Sequence, residues 1–415
     1  MTPNATAATH LPTPANPGPF GHKQRKNFLF PDNFTQYNHG SYGTFPKVVQ
    51  DDMLAWHNRV EQNPDLWMRR DLKISLDNIR SQVANLIHCD MNDLALVQNT
   101  TVGVNTVLRS FAFLPGDRIL QLSTGYPAVL ETVRYVCDTH EDLKVVEVPI
   151  TYPLSDEEII KKVDDAIKAH QQLKDGSRIR LAIVDWISSV PAVVQPVKQL
   201  VELLQSHGIL VYIDGAHSIG QVHVDLEDLH PDFYITNAHK WLYSVRGSAV
   251  LYVPKRHQHL IHPTSISADY KSGFDTEFAW SGTQDYSSIM SIGAAIAFRK
   301  QYGEDAIISY THALAIEGGH AIAKILGTNV LTPYDHQVGN MVNIRLPLKN
   351  PDHPNARFQW FVDTLLDRYN FFTPTFKHGG QWWTRISAQI YLELDDFVRF
   401  GNIWKEVIDE MNAEQ

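Results

Sequence analysis

Between residues 94 and 253 the chain alternates short runs nearly continuous in Val, Ile and Leu with longer stretches whose apolar residues recur at helical spacing. The strand-like runs are 94–97, 118–122, 144–148, 179–184, 209–213, 233–236 and 248–253, and helical stretches start near Val102, Ala128, Asp156 and Val197. A strand buried on one face alternates apolar with polar residues, whereas a strand buried on both faces reads as continuously apolar. Helices must therefore cover both sides of a mostly parallel sheet, giving an α/β fold built as a three-layer αβα sandwich. In an open sheet of this kind, ligands bind beyond the carboxyl ends of the strands.

Helical spacing also marks residues 46–60 and 72–87, ahead of the first strand. After residue 287 the pattern changes to long helices at 288–301 and 305–326, strand candidates at 341–346 and 384–387, and a last helix at 395–411. The 415 residues thus divide into a large domain, 46–287, and a smaller α+β C-terminal domain, 288–415. Residues 1–20 are rich in Thr, Ala and Pro and contain no Lys, Arg, Asp or Glu, so a disordered tail is expected over 1–27.

Charge and cysteine content narrow the function. Lys and Arg number 36 against 46 Asp and Glu, a net charge of -10, the wrong sign for a nucleic-acid partner. Two cysteines, Cys89 and Cys137, are too few for a disulfide framework and point to a reducing compartment. With no apolar run of about 18 residues and no basic leader, the reading is a cytoplasmic protein without a membrane partner. His257, His259 and His262 are loosely spaced, and no Cys or acid completes a metal set around them.

Three polar clusters follow strands. Asn99-Thr100-Thr101 opens a helix, where hydroxyls and free backbone N–H groups suit a phosphate, although such residues are also ordinary helix caps. Asp214 ends the run Tyr212-Ile213, where a carboxylate needs a cationic partner; it reads equally as a turn acid. Lys240, in Asn237-Ala238-His239-Lys240-Trp241, is either a solvated surface lysine or a nucleophilic amine of lowered pKa. Together the three supply what pyridoxal 5'-phosphate needs: a lysine for the Schiff base, an acid for the pyridine nitrogen and a loop for the phosphate.

The strings YNHGSYGTFP, QNTTVGVN, YIDGAHSIGQ, TNAHKWLYSVRGSAVLYV and WSGTQD make the chain resemble the class V aminotransferase and cysteine desulfurase family over about residues 28–400. Within it the chain is most similar to the isopenicillin N epimerase-like and hercynylcysteine sulfoxide lyase-like branch. The resemblance implies PLP fold type I, with Lys240 as the Schiff-base lysine, Asp214 as the pyridinium partner and Thr100 and Thr101 in the phosphate loop. His239 and Asn237 match positions that also reach the phosphate. His217 replaces a Gln that contacts the cofactor's phenolic oxygen, and Ser189 stands where desulfurases place an Asn near the same oxygen. Tyr126 falls where an aromatic ring covers the cofactor face, and its hydroxyl could relay a proton; the alternative is a loop tyrosine packed on Pro127.

The resemblance further implies that Arg385 binds the substrate carboxylate, and that Asn38, His39 and Tyr42 line a substrate-mouth segment at 28–45 in which Gly40 and Gly43 let the backbone approach. Thr283 matches a residue donated to the partner's phosphate site, which implies a homodimer. Desulfurases that form a persulfide carry a Cys well after the lysine, whereas Cys89 and Cys137 both precede Lys240. The expectation is therefore a PLP-dependent C–S lyase acting by β-elimination on an S-substituted cysteine or its sulfoxide. An amino-acid epimerase, a decarboxylating or cyclising enzyme of secondary metabolism, and a catalytically inactive scaffold are the alternatives.

Overall fold

The computed structural model describes residues 19–353 and 356–413. Seven strands form the main sheet: β1 (Leu94–Val97), β2 (Asp117–Leu122), β3 (Lys144–Val148), β4 (Arg178–Asp185), β5 (Leu210–Asp214), β6 (Phe233–Asn237) and β7 (Ala249–Tyr252). Their spatial order is β1-β7-β6-β5-β4-β2-β3, with only β7 antiparallel to its neighbours. The central strands are buried except near the amino ends of β4 and β5, as their composition requires, while β3 closes one edge with Lys144 and Glu147 exposed.

Helices cover both faces. On one side α1 (Thr100–Ser110) and α2 (Pro127–Thr139) pack with Val104, Val107, Val133 and Val136 against Ile119, Leu181 and Ile235. On the other, α3 (Asp156–Gln171) and α4 (Val197–Ser206) bury Ile159, Val163, Leu200 and Leu204. Ser155 and Glu158 form a capping box that starts α3, and Asn99 caps α1 by accepting the Val102 N–H at 2.9 Å. The expected αβα sandwich is the observed one, and most strand limits agree within a residue.

The C-terminal part carries a three-stranded antiparallel sheet, β8 (Met341–Arg345), β9 (Thr375–His378) and β10 (Gln381–Ser387), in the order β8-β10-β9. Helices α5 (Glu304–Leu326) and α6 (Leu394–Ala413) pack on it, with Phe397 pressed so close to Gly318 that a Cβ there would lie 2.0 Å from its ring. In this part the strand β9 and a helix at Phe358–Tyr369 were not anticipated.

Residues 19–27 do not form part of the tail expected over 1–27. Residues 1–18 lie outside the described residues, but Phe20 is buried in the C-terminal core beside Tyr310, and the Gly21 N–H donates to the Ile390 carbonyl at 2.8 Å. A short 3-10 helix, His22–Asn27, follows, and Phe28 and Tyr37 join the same core. The charge-free composition that suggested a tail stops mattering once Phe20 has an apolar cleft to fill. Among the described residues no helix is long and apolar enough to cross a membrane.

Candidate active site

A cavity of about 180 Å³ opens at the carboxyl ends of β1, β4, β5 and β6. Asn99, Thr100, Thr101, Tyr126, Ser189, Asp214, His217, Asn237, His239 and Lys240 line it, with Ser41 and Tyr42 from the N-terminal segment and Asp185 from β4. Residues far apart in sequence meet there because each ends a parallel strand on the same side of the sheet.

One wall is built for an anion. At the start of α1 the Thr100 N–H donates to the Asn237 side chain at 3.0 Å, while the buried Thr100 hydroxyl has no partner. Thr101 is exposed in the same first turn, and its hydroxyl together with the dipole of the helix end favours negative charge there. The His239 Nδ1 donates to the Ser248 carbonyl at 3.1 Å, leaving Nε2 free; burial and then Lys240 lower the His239 pKa to about 4.

The floor holds Asp214 and Lys240. Asp214 accepts the Ala216 N–H at 2.9 Å, and Gly215 follows because a Cβ there would lie 2.3 Å from the Tyr234 ring. Burial raises the Asp214 pKa, against the lowering effects of that N–H and of Lys240. Lys240 lies in the loop after β6, and burial, then the Arg385 charge, bring its pKa down to about 7 despite Asp214. Its Nζ lies 3.1 Å from the His217 Nε2. An amine that is half unprotonated near neutrality is a competent nucleophile.

Arg385 reaches the site from β10. It is 1% exposed, donating from Nη1 to the Ser189 carbonyl at 2.7 Å and from Nη2 to Asn38 Oδ1 at 3.1 Å and Ser41 Oγ at 3.0 Å. Among the described residues no carboxylate pairs with it, and its Nε is buried without a partner. Burial lowers its pKa to about 10. A buried guanidinium lacking a counterion is costly to fold and awaits an anion.

A profile of the family described as Aminotransferase class-V matches residues 44–357. The chain belongs to that family. It is 33% identical to an L-cysteine desulfhydrase-like protein of Epichloe uncinata over 442 aligned positions, covering 95% of this chain and 97% of the relative. It is 30% identical to the hercynylcysteine sulfoxide lyase of Schizosaccharomyces pombe, covering 93% and 97%. Among solved structures, the cystine C–S lyase C-DES in complex with cysteine persulfide superposes with a TM-score of 0.75 at 18% identity, covering 90% of this chain and 98% of that one. That likeness shows the type I fold.

Most residues singled out in the sequence meet in this class V cavity. Asn38 does so through Arg385, and Tyr42 stands at the mouth, 70% exposed. His39 does not line the cavity: it is fully buried, its Nε2 donating to the Lys240 carbonyl at 2.8 Å and its Nδ1 accepting from the Tyr391 hydroxyl at 3.0 Å. Its place at the substrate mouth is corrected to one behind the lysine. Thr283 is exposed and outside its own chain's cavity. His257 and His262 pair with Asp232 and Glu277.

Sequence reasoning missed Asp185, Ser41 and Trp241. Asp185 lies in register with Asp214 on the adjacent parallel strand, and burial, then the Asp214 charge, push its carboxyl well above the usual range. Its only signal was its position at the end of an apolar strand, beside another such acid. The donor set fits pyridoxal phosphate: an anion cradle with an unsatisfied buried hydroxyl, an acid on the floor and a free amine between them.

Proposed function

We propose that this protein is a pyridoxal phosphate-dependent C–S lyase that cleaves an S-substituted cysteine or its sulfoxide by β-elimination. The observation that carries this reading is the lowered-pKa Lys240 amine set between Asp214 and the unpaired Arg385 guanidinium, in a cavity whose lining contains no thiol. The names of the relatives, desulfhydrase-like protein and sulfoxide lyase, support the reaction class.

Thr100, Thr101, Asn237 and His239 would hold the cofactor phosphate, Asp214 the ring nitrogen, His217 the phenolic oxygen, and Lys240 the aldehyde carbon. Tyr126 would cover the ring face. When bound, the cofactor supplies an electron sink for the pair left at Cα when its proton departs. Arg385 binds the substrate carboxylate and, with Ser41 and Asn38 behind it, fixes the orientation of Cα. Lys240 takes the α-proton; the Cβ–S bond breaks and its electrons leave with sulfur. The released 2-aminoacrylate hydrolyses to pyruvate and ammonia. Cys89 and Cys137 lie outside the cavity lining, and burial raises both thiols, Cys89 to about 12, so neither serves as a persulfide carrier. Thr283, exposed beside Gln284, whose side chain accepts from Gln98 at 2.9 Å, is proposed to serve the site of a second copy.

The test is incubation of the cofactor-loaded protein with L-cysteine, S-alkyl cysteines and cysteine sulfoxides, followed by assays for pyruvate and ammonia. Equal yields of both are expected from at least one substrate and none from Lys240→Ala. No pyruvate from any of them ends the lyase reading.

A further inference from the structure

The bond between Lys240 and His217 has a direction that the neighbouring indole determines. Trp241 is fully buried, and its Nε1–H donates to the His217 Nδ1 at 3.2 Å. An indole N–H can only donate, so Nδ1 must be the unprotonated nitrogen of that ring. The same contact excludes the doubly protonated imidazolium, whose Nδ1–H would face the indole N–H. The one remaining proton of a neutral His217 therefore sits on Nε2, and Nε2 is the atom 3.1 Å from the Lys240 Nζ. An N–H facing Nζ needs a lone pair there. An ammonium has none, so the pair is satisfied only when Lys240 is a free amine.

Packing holds the indole in place. The His39 ring lies against it at 5.1 Å between centroids, and His39 also donates to the Lys240 carbonyl. A Cβ on Gly40 would come within 3.2 Å of the indole, and Arg299 donates to the Trp241 carbonyl at 2.6 Å. The ring cannot turn its N–H away without moving these neighbours. Burial above all, with the Arg385 charge nearby, keeps His217 neutral, in agreement with the hydrogen-bond argument.

We propose that Trp241 is a positioning residue that locks His217 in the tautomer protonated on Nε2, and that this N–H holds Lys240 as a free amine ready to capture an aldehyde. The inference rests on the reading of Lys240 as the cofactor-binding lysine. In the capture step the Nζ lone pair forms the bond to the aldehyde carbon, and the aldehyde oxygen leaves as water with the two amine hydrogens. The His217 N–H that faced Nζ is then available to an oxygen acceptor on the bound ligand. Tryptophan is needed because phenylalanine has the bulk without the donor.

The tautomer is read on the cofactor-free protein by histidine-selective 15N NMR, with the His217 signals assigned by their disappearance in His217→Gln. The expected wild-type result is a protonated Nε2 and a bare Nδ1, and in Trp241→Phe a shift toward Nδ1–H or imidazolium. A wild-type Nδ1–H, or a tautomer unchanged in Trp241→Phe, overturns the proposal. If Trp241→Phe does not fold, the wild-type spectrum alone decides. A second measurement separates the lock from simple packing: Trp241→Phe should weaken pyridoxal phosphate affinity about tenfold, the worth of one oriented hydrogen bond. The same change made in a His217→Gln background should cost almost nothing, because a glutamine amide donates without a lock. An equal loss in both backgrounds assigns Trp241 to packing and overturns the proposal. Failure to bind the cofactor with the tautomer intact would instead sink the assignment of Lys240.

Discussion

Two residues give the site its electrical character, and each makes a prediction. The Lys240 pKa falls from 10.5 to about 7 on folding, so between those values the unfolded chain binds more protons than the folded one. Stability of the cofactor-free protein should therefore rise with pH across that window and level off below it. Thermal unfolding at pH 7 and pH 9 (about 100-fold apart in proton concentration) checks this, and Lys240→Met should remove its share of the slope. Capture of pyridoxal phosphate should slow about tenfold per pH unit below about 7, as the amine becomes protonated. Arg385→Met should raise KM for amino-acid substrates about tenfold or more, the worth of a charge-assisted pair, without loss of bound cofactor. It should also raise the Tm of the substrate-free protein, since a buried cation without a counterion is replaced by an apolar side chain of similar length. Lys240 and Asp214 were legible in the sequence because Asp214 directly ends an apolar run and Lys240 stands in the short polar loop after the next one. Asp185 was not, because its meaning depends on register with Asp214 across two strands. His39 was misplaced for the same kind of reason: its partners Lys240 and Tyr391 are 201 and 352 residues away.

At the level of elements, the anion wall depends on how closely α1 approaches the sheet. Gly103 faces β6, and a Cβ there would lie 2.4 Å from the Ile235 side chain. Gly103→Val should push α1 outward, cost about 1–3 kcal/mol in urea unfolding and weaken cofactor affinity by moving Thr100 and Thr101 together. Gly43 has a different constraint: its φ is +63°, and a Cβ would meet the His239 carbonyl at 1.8 Å. That backbone contact brings the N-terminal segment against the lysine loop. The main-sheet strands were readable because burial on both faces leaves only Val, Ile, Leu and their like. The strand β9 was not readable: Thr375–His378 is four residues long, and its pairing partner β10 supplies the order that its own sequence lacks. The helix at Phe358–Tyr369 begins with aromatic and β-branched residues that suit a strand as well as a helix.

At the scale of the whole molecule, two of the buried apolar clusters carry the elements around the cavity. One lies under the main sheet, and the other joins the C-terminal helices and small sheet to Phe20, Phe28 and Tyr37 from the chain's beginning. Phe28 touches Tyr243, Phe298 and Tyr391, linking the lysine loop to both ends of the chain. Phe28→Ala should cost about 3–5 kcal/mol in thermal or urea unfolding through the cavity it leaves. The small antiparallel sheet follows the change of periodicity near residue 287 that the sequence displays. The return of the first residues onto the last domain was not visible there, since nothing local in Phe20 or Phe28 names a partner more than 270 residues away.

The Lys240 amine comes from the first of these cores and the Arg385 guanidinium, proposed to bind the substrate, from the second. In evolutionary terms the two jobs are unlinked. Under the proposed roles, changes in the small sheet around Arg385 re-aim the molecule at a new amino acid while the machinery around Lys240 is inherited intact, so one scaffold diversifies by altering what it grips and not how it reacts.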